Sequence, residues 1–566
     1  MLRSQLRAMY RKRGALMATE YPLPNGAEVG GAHDRASLLG PHPDWSGQSE
    51  EVAGSRAAAR HVLENILAQP AARRFLGWLS VTDGNGCSRL ERIFETYDRP
   101  TVPLGDRVKW ALAHLVIDLG FRRAGAGKEA AKTKLFHHHP TVRALALTAR
   151  SIARYGLAAP QRFVAPLFVV WNITRACNLE CQHCYEDATH KPQRDELTLG
   201  EKIGIVDELA MAGVPFLAIA GGEPLVCKDF WPIVEYAYKR GIHLTVATNG
   251  TMITPEVAAR LVGSGVKYVE VSVDSIRPEE HDAFRGRHGS WAKSMQGIRN
   301  LVQAGMRTGF AMCFTRKTLS SVDDAVYFAT ELGCKTFSHF NFIPTGRGKE
   351  ITDSDLTPEQ RGWLIQRLAW HLQEGKINVI STAPQFGRAY IAYGSAEVTF
   401  AIGHVGRGTG KQTMVLARYI GGCGTGRCYC AIQPNGDVTP CVYIPSHAIG
   451  NLRSQRLNKI WDCDLFSLLS DRADRGGHCG SCNFRAYCGG CRARALAYTG
   501  DITEGDPGCF YNRAESEEPP QHWRWPKQER DGESPSHLYS SQGLPQDPEN
   551  VLQGVAAVGE KSIPRS

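Results

Sequence analysis

No apolar run in the sequence approaches the roughly 18 residues that a membrane-spanning helix needs, which excludes a helical integral membrane protein. Acidic residues are missing from the first stretch, where Arg3, Arg7, Arg11, Lys12 and Arg13 stand. No apolar segment follows them, so no secretory signal is expected, and they read as a frayed, solvated tail in preference to a basic amphipathic surface anchor. There is no basic stripe interleaved with aromatics, and a net charge of +9 is modest for 566 residues; no nucleic-acid partner is expected. Internal repeats are also lacking. Cysteine, by contrast, is abundant: 17 residues, an odd count, in a chain without an export signal. The expected location is the cytoplasm, where thiols stay reduced, and metal or cluster ligation is expected in place of a disulfide scaffold.

The length exceeds what a single core supports, and about two or three domains are expected. Residues 1–46, with much Gly, Pro and Ser, read as a flexible leader. Residues 47–160 carry patterns such as "AAARHVLENILAQ" and "VKWALAHLVIDLGF", apolar at three and four spacing, and read as a helical domain. In it His137, His138 and His139 precede Pro140 and an expected cap, Thr141; adjacent histidines cannot all face one metal, so a solvent-facing loop is expected. Over residues 165–400 strands alternate with helices: "PLFVVWNI", "PFLAIAG", "HLTVAT", "YVEVSV", "TGFAMCF" and "KTFSHFNFI" are the strand candidates. Thr198 with Glu201, and Thr357 with Gln360, have the spacing of capping boxes, and Thr254 stands before Pro255 at a first helical position. Such alternation implies an α/β fold with a parallel sheet and right-handed crossovers, either an open doubly wound sheet or a barrel. Residues 415–513 are poor in long apolar runs and crowded with cysteines, and are expected to fold around metals. Residues 516–566 are polar and Pro-rich and read as a disordered tail.

The stretch "TRACNLECQHCYE", Thr174 to Glu186, places Cys177, Cys181 and Cys184 directly after the first strand candidate, spaced C-x3-C-x2-C. Structural zinc takes four ligands, usually in CxxC pairs; a four-iron cluster on three thiolates keeps one iron open for a ligand that is not protein. The other reading of the loop is a chance cluster of cysteines. This motif resembles that of the radical S-adenosylmethionine (SAM) enzymes, which also carry an aromatic residue beside the last cysteine, here Tyr185. The resemblance extends to "GGEP" (Gly221, Gly222, Glu223, Pro224), to "ATNG" with Asn249, and to "SVDS" with Ser272 and Asp274, each at the end of a successive strand candidate. The two glycines suit a close backbone approach to a ligand, and Glu223 offers a carboxylate to an ammonium group. The resemblance assigns GGEP to the SAM amino group, the SVDS region to the SAM ribose and Arg285 to the SAM carboxylate. It further implies a partial (β/α)6 barrel with its chemistry at the C-terminal face of the strands. Taken singly, TNG and SVD read as turns.

A second group of cysteines runs through "CGTGRCYCAIQPNGDVTPC", "CGSCNFRAYCGGC" and "DPGC". CxxC-x5-CxxC alone would suit a zinc ribbon. The longer arrangement resembles the SPASM extension of radical SAM enzymes, which holds two auxiliary four-iron clusters. By that resemblance Cys423, Cys428 or Cys430, Cys441 and Cys491 would hold the first, and Cys479, Cys482, Cys488 and Cys509 the second. Cys428 and Cys430 compete for one ligand place. The remaining cysteines, Cys87, Cys227, Cys313, Cys334 and Cys463, read as buried structural thiols.

The resemblance implies an enzyme: reductive cleavage of SAM to a 5′-deoxyadenosyl radical, hydrogen abstraction from a substrate, and a one-electron donor such as flavodoxin or ferredoxin. A non-catalytic, metal-braced binding protein is the competing class, and it leaves the strand-end motifs unexplained. For the substrate, a modified-heme (tetrapyrrole) intermediate is expected first and a peptide second. Sulfatase-maturing relatives carry Asp after the cysteine matching Cys441, where this chain has Val442, and "FNFIPTGRGKE" resembles the sixth-strand region of SPASM enzymes that trim modified hemes, with Arg347 and Lys349 placed to meet substrate carboxylates.

Overall fold

In a computed structural model of the chain, the described residues are 65–118 with breaks, 139–388, 399–401, 407–409, 418–509 and 512. The leader, His137, His138 and the 516–566 tail lie outside them. The chain before the sheet forms helices α1 (Pro70–Leu79), α2 (Arg89–Thr96) and α3 (His139–Tyr155). Helix α2 starts from Ser88 in a capping box closed by Glu91. Thr141 is not a cap, because α3 already begins at His139 and Pro140 fits its first turn, where no backbone N–H is required.

All six strand candidates are strands: β1 (Phe168–Asn172), β2 (Phe216–Ala220), β3 (His243–Thr248), β4 (Tyr268–Ser272), β5 (Thr308–Cys313) and β6 (Thr336–Phe340). They pair in chain order, all parallel. Parallel neighbours need crossovers, and these are α4 (Leu199–Ala212), α5 (Phe230–Lys239), α6 (Pro255–Gly263), α7 (Pro278–Arg285), α8 (Ser290–Gln303) and α9 (Val322–Glu331). Thr198 and Glu201 close the expected capping box on α4; Thr357 and Gln360 do so on α10 (Pro358–Glu374); Thr254 caps α6 through the Val257 N–H.

Six further strands were not expected from the sequence. A short β7 (Asn378–Ser381) extends the sheet beyond β6, in parallel. After a separate antiparallel pair, β8 (Thr399–Ala401) and β9 (Arg407–Thr409), strand β10 (Tyr429–Ile432) returns from the cysteine-rich region to pair in parallel with β1. β11 (Asp437–Thr439) and β12 (Gly450–Asn451) follow it antiparallel, giving a ten-stranded sheet. The C-terminal segment is thus built onto the barrel sheet, and the described residues belong to one compact unit. Helices α11 (Leu457–Trp461), α12 (Asp464–Ser470), α13 (Gly477–Ser481) and α14 (Arg492–Thr499) complete it.

Alternation along the strands sorts the side chains into two environments. Val169, Trp171, Leu217, Ile219, Leu244, Val269, Val271 and Phe310 face the helices in one continuous core, each contributing about 1.5–3 kcal/mol by leaving water. The opposite face turns inward, and many of its residues are small: Ala218, Ala220, Ala247, Gly309 and Ala311. A closed barrel of large branched residues fills its own interior. This one leaves space.

Candidate active site

The loop after β1 carries Cys177, Cys181 and Cys184 over the C-terminal ends of the strands. It is fixed by main-chain bonds from three directions. Gly222 N–H donates to Thr174 O and Glu223 N–H to Ala176 O, both at 2.8 Å; Glu180 and Gln182 N–H donate to Arg285 O (3.1 Å) and Phe284 O (2.9 Å); Arg347 N–H donates to Cys184 O at 3.0 Å. Each sulfur receives one donor: Leu179 N–H on Cys177 Sγ (3.4 Å), Arg285 Nη1 on Cys181 Sγ (3.6 Å) and Ala188 N–H on Cys184 Sγ (3.4 Å). Hydrogen bonds to sulfur would tune the potential of a cluster bound there. Burial, helped by the nearby Glu223, Cys181 and Cys184, pushes the Cys177 thiol up to about 12, and a bound metal would favour the thiolate.

These cysteines line a cavity together with Tyr185, Gly221, Gly222, Asn249, Ser272, Asp274 and Arg285, so the motif residues from successive strand ends do converge. Asn249 Nδ2 donates to Asn178 Oδ1 at 2.8 Å, and the Tyr185 hydroxyl to Asn172 Oδ1 at 3.2 Å. Arg285 lies 2.6 Å from Asp274, which also accepts from Cys313 N–H at 3.1 Å; the guanidinium holds that buried carboxyl below the usual carboxylate range despite its desolvation. Cys313, expected as a structural thiol, lines this cavity too.

Glu223 stands behind the cavity wall. It is fully buried and absent from the cavity wall. Its carboxylate accepts from Leu225 N–H (3.1 Å), Thr248 Oγ1 (2.8 Å) and Asn249 N–H (2.8 Å), tying the β2 loop to the β3 loop. The glycines before it line the cavity and also pack on protein backbone: a Cβ on Gly221, at φ +141°, would sit 2.5 Å from Thr174 O, and one on Gly222 2.3 Å from Ala176 O. Arg347 is also engaged by the chain. Its Nε donates to Cys181 O (3.0 Å) and its Nη1 to Ala188 O (2.8 Å) and Asp187 Oδ1 (3.1 Å), so most of the guanidinium clamps the cysteine loop, while Nη2 has no partner among the described residues and the residue lines the cavity. Lys349 is exposed.

The second group of cysteines divides between two other cavities. Cys423, Cys428, Cys441 and Cys491 line one. Cys430 does not: it sits in β10 with no exposure, packed in the apolar core, where burial alone raises its thiol. Cys479, Cys482, Cys488 and Cys509 line the other, with donors again on sulfur: Asp506 N–H and Asn512 Nδ2 on Cys479 (3.4 and 3.2 Å), Gly490 N–H on Cys488 (3.5 Å) and Arg388 Nη1 on Cys509 (3.3 Å). The zinc-ribbon grouping would need Cys491 beside Cys479 and would draw four sulfurs to about 4 Å of one another. Cys491 lines the other cavity, and among the described residues no three Cys, His, Asp or Glu side chains gather closely enough for a single ion.

The sequence matches the model of the radical SAM superfamily over residues 171–329 and that of an iron–sulfur cluster-binding domain, SPASM, over residues 423–483. It is 34% identical to the AdoMet-dependent heme synthase of Methanosarcina barkeri over 349 residues, 61% of this chain and 97% of that protein. The chain belongs to the radical SAM superfamily. It is an enzyme of the radical SAM/SPASM group, dependent on iron–sulfur and SAM. The mycofactocin maturase MftC of Mycobacterium tuberculosis is 33% identical over 62% of this chain and 84% of its own length. The fold is shared with Streptococcus suis SuiB, at a TM-score of 0.52 and 16% identity over 75% of this chain and 93% of that one. Among the described residues no helix is long and apolar enough to cross a membrane.

What sequence reasoning missed is the barrel interior. The cavity at Cys423, Cys428, Cys441 and Cys491 continues inward between Phe168, Val170, Ala218, Thr245, Ile380 and Phe386, has a volume of about 260 Å³, and shares Tyr185, Ala220, Ala247, Glu270, Phe340, Ile343 and Tyr443 with the SAM-side cavity. Period-two alternation in "YVEVSVD" was the available signal: Tyr268, Glu270, Ser272 and Asp274 fall on one inward face of β4 and its extension.

Proposed function

We propose that this enzyme abstracts hydrogen from a side chain of a carboxylate-bearing tetrapyrrole seated in the barrel interior. The observation that carries this reading is the mostly apolar cavity joining the three-cysteine loop to Cys423, Cys428, Cys441 and Cys491. Cys177, Cys181 and Cys184 would hold one four-iron cluster, with Asn249, Ser272, Asp274 and Arg285 around SAM. Cys423, Cys428, Cys441 and Cys491 would hold a first auxiliary cluster, and Cys479, Cys482, Cys488 and Cys509 a second. When bound, the first cluster and SAM supply a 5′-deoxyadenosyl radical, given an electron from a donor such as flavodoxin or ferredoxin. The chain's own part is to seat the substrate and keep water out: Phe168, Val170, Ile380 and Phe386 offer apolar walls to a flat body, and Val442, where sulfatase-maturing enzymes carry an acid, adds to them. The heme synthase relative supports a tetrapyrrole. The MftC relative supports a second reading, in which the same cavity receives an end of a peptide.

The test is an anaerobic assay of the reconstituted enzyme with iron coproporphyrin III, following 5′-deoxyadenosine and substrate mass together. SAM cleavage accelerated by the tetrapyrrole, with a matching mass loss, supports the reading. Cleavage no faster than without substrate transfers it to a peptide.

A further inference from the structure

The barrel cavity is lined by no Lys, Arg or His among the described residues, yet a buried carboxyl group stands where it meets the SAM-side cavity. Glu270 is 9% exposed and lines both spaces. Its Oε2 accepts from the Tyr268 hydroxyl at 3.0 Å, and Ser338 hydrogen-bonds the same carboxyl group. Tyr268 can reach across to within 3.4 Å of Ser338 on β6 because the residue between them on β5 is Gly309, whose Cβ would lie 1.8 Å from the tyrosine oxygen. Three strands therefore cooperate to hold this carboxyl group in place.

We propose that Glu270 is the substrate-anchoring residue of the cavity, binding a carboxyl group of the substrate by a hydrogen bond and so presenting the adjacent carbons at the junction with the SAM site. The proposal rests on the tetrapyrrole reading. Burial with no cation beside it pushes the Glu270 carboxyl up, an effect opposed by the bonds from Ser338 and Tyr268, and this favours the protonated form. An acid and a carboxylate sharing one proton form a short, strong O–H···O bond, as carboxyl pairs do when like charges cannot both be borne. Such an anchor fits the absence of a cationic side chain from the wall of the barrel cavity. It also favours a substrate whose acidic group is near the reacting carbon over one whose acid is remote.

The experiment compares binding of metal-free coproporphyrin III to the reconstituted full-length enzyme by its Soret-band shift, in wild type, Glu270→Gln and Glu270→Leu, with SAM affinity measured in parallel as a check on the fold. The amide can still donate to a carboxylate, whereas leucine cannot. Expected are an affinity within a few-fold of wild type for Glu270→Gln and a loss of roughly ten- to a hundredfold for Glu270→Leu, the range for a hydrogen bond to a charged group, with SAM affinity unchanged in both. A loss in both variants at unchanged SAM affinity also supports the anchor and makes the acid itself the requirement. Equal affinity in all three proteins overturns the role of Glu270 and leaves the tetrapyrrole reading standing. No binding by wild type overturns both.

Discussion

Glu223 has its carboxylate occupied by the chain itself, with three donors from two loops on it and no exposure. Desolvation raises its carboxyl, and the bonds from Asn249, Thr248 and Leu225 oppose that rise. Replacing it by Gln turns one acceptor into a donor facing a donor, and an unsatisfied buried pair of that kind costs about 1–3 kcal/mol. Glu223→Gln is therefore expected to lower the thermal midpoint of the apoprotein while SAM binds to the surviving folded fraction with little change. A tenfold loss of SAM affinity at unaltered stability would return this carboxylate to the ligand. Sequence could place Glu223 at a strand end, but not its burial, because two of its three partners arrive from β3 and the loop after it. Arg347 is a similar case: its position in "PTGRG" was legible, and its engagement with Cys181 O and Ala188 O, more than 150 residues away in the chain, was not.

At the scale of elements, the six parallel strands and the motifs at their ends were legible because each element declares itself locally, by alternation, caps and glycines. β7 was missed because four residues, "NVIS", carry little pattern. β10 was missed because its pairing with β1 joins residues about 260 positions apart and nothing local announces it. The inward row of β4 had a readable period, yet an acidic residue among valines gains meaning only once the neighbouring strands show room around it. Gly309 makes the most direct test of that arrangement. Adding a methyl group puts Cβ 1.8 Å from the Tyr268 oxygen and 2.6 Å from its Cζ, so the phenol must leave Glu270. Gly309→Ala is expected to cost about 1–3 kcal/mol, the usual penalty of overpacking, measurable by chemical unfolding. Adding Tyr268→Leu, which removes the colliding atoms, should recover part of that loss. If the double variant is as unstable as the sum of its parts, the contact does not govern the site.

Across the whole molecule the cysteines form three sets with separate surroundings: a loop on the barrel rim, a wall of the inner cavity, and a cavity in the C-terminal segment. On the proposed assignment of three, four and four ligands, eleven of the 17 cysteines would be engaged, which would correspond to about twelve iron atoms in three four-iron clusters. Because the sets share no cysteine, removing one should leave the others loaded. Replacing Cys177, Cys181 and Cys184 together by Ala should lower the iron content by about a third and abolish 5′-deoxyadenosine formation. Cys428→Ala should weaken or empty the set at Cys423, Cys441 and Cys491, lowering iron toward two thirds while the SAM-dependent signal of the first cluster remains. Cys430→Ala separates the two candidates that the C-x-C spacing left open: its thiol lies in the apolar core away from that cavity, so iron content should stay at the wild-type level and only the small packing loss of a buried sulfur should appear. Iron analysis with Mössbauer spectra of the three variants checks all of this at once. If Cys430→Ala loses iron and Cys428→Ala retains it, the ligand assignment is reversed and β10 must turn its other face to the cavity when the cluster is bound.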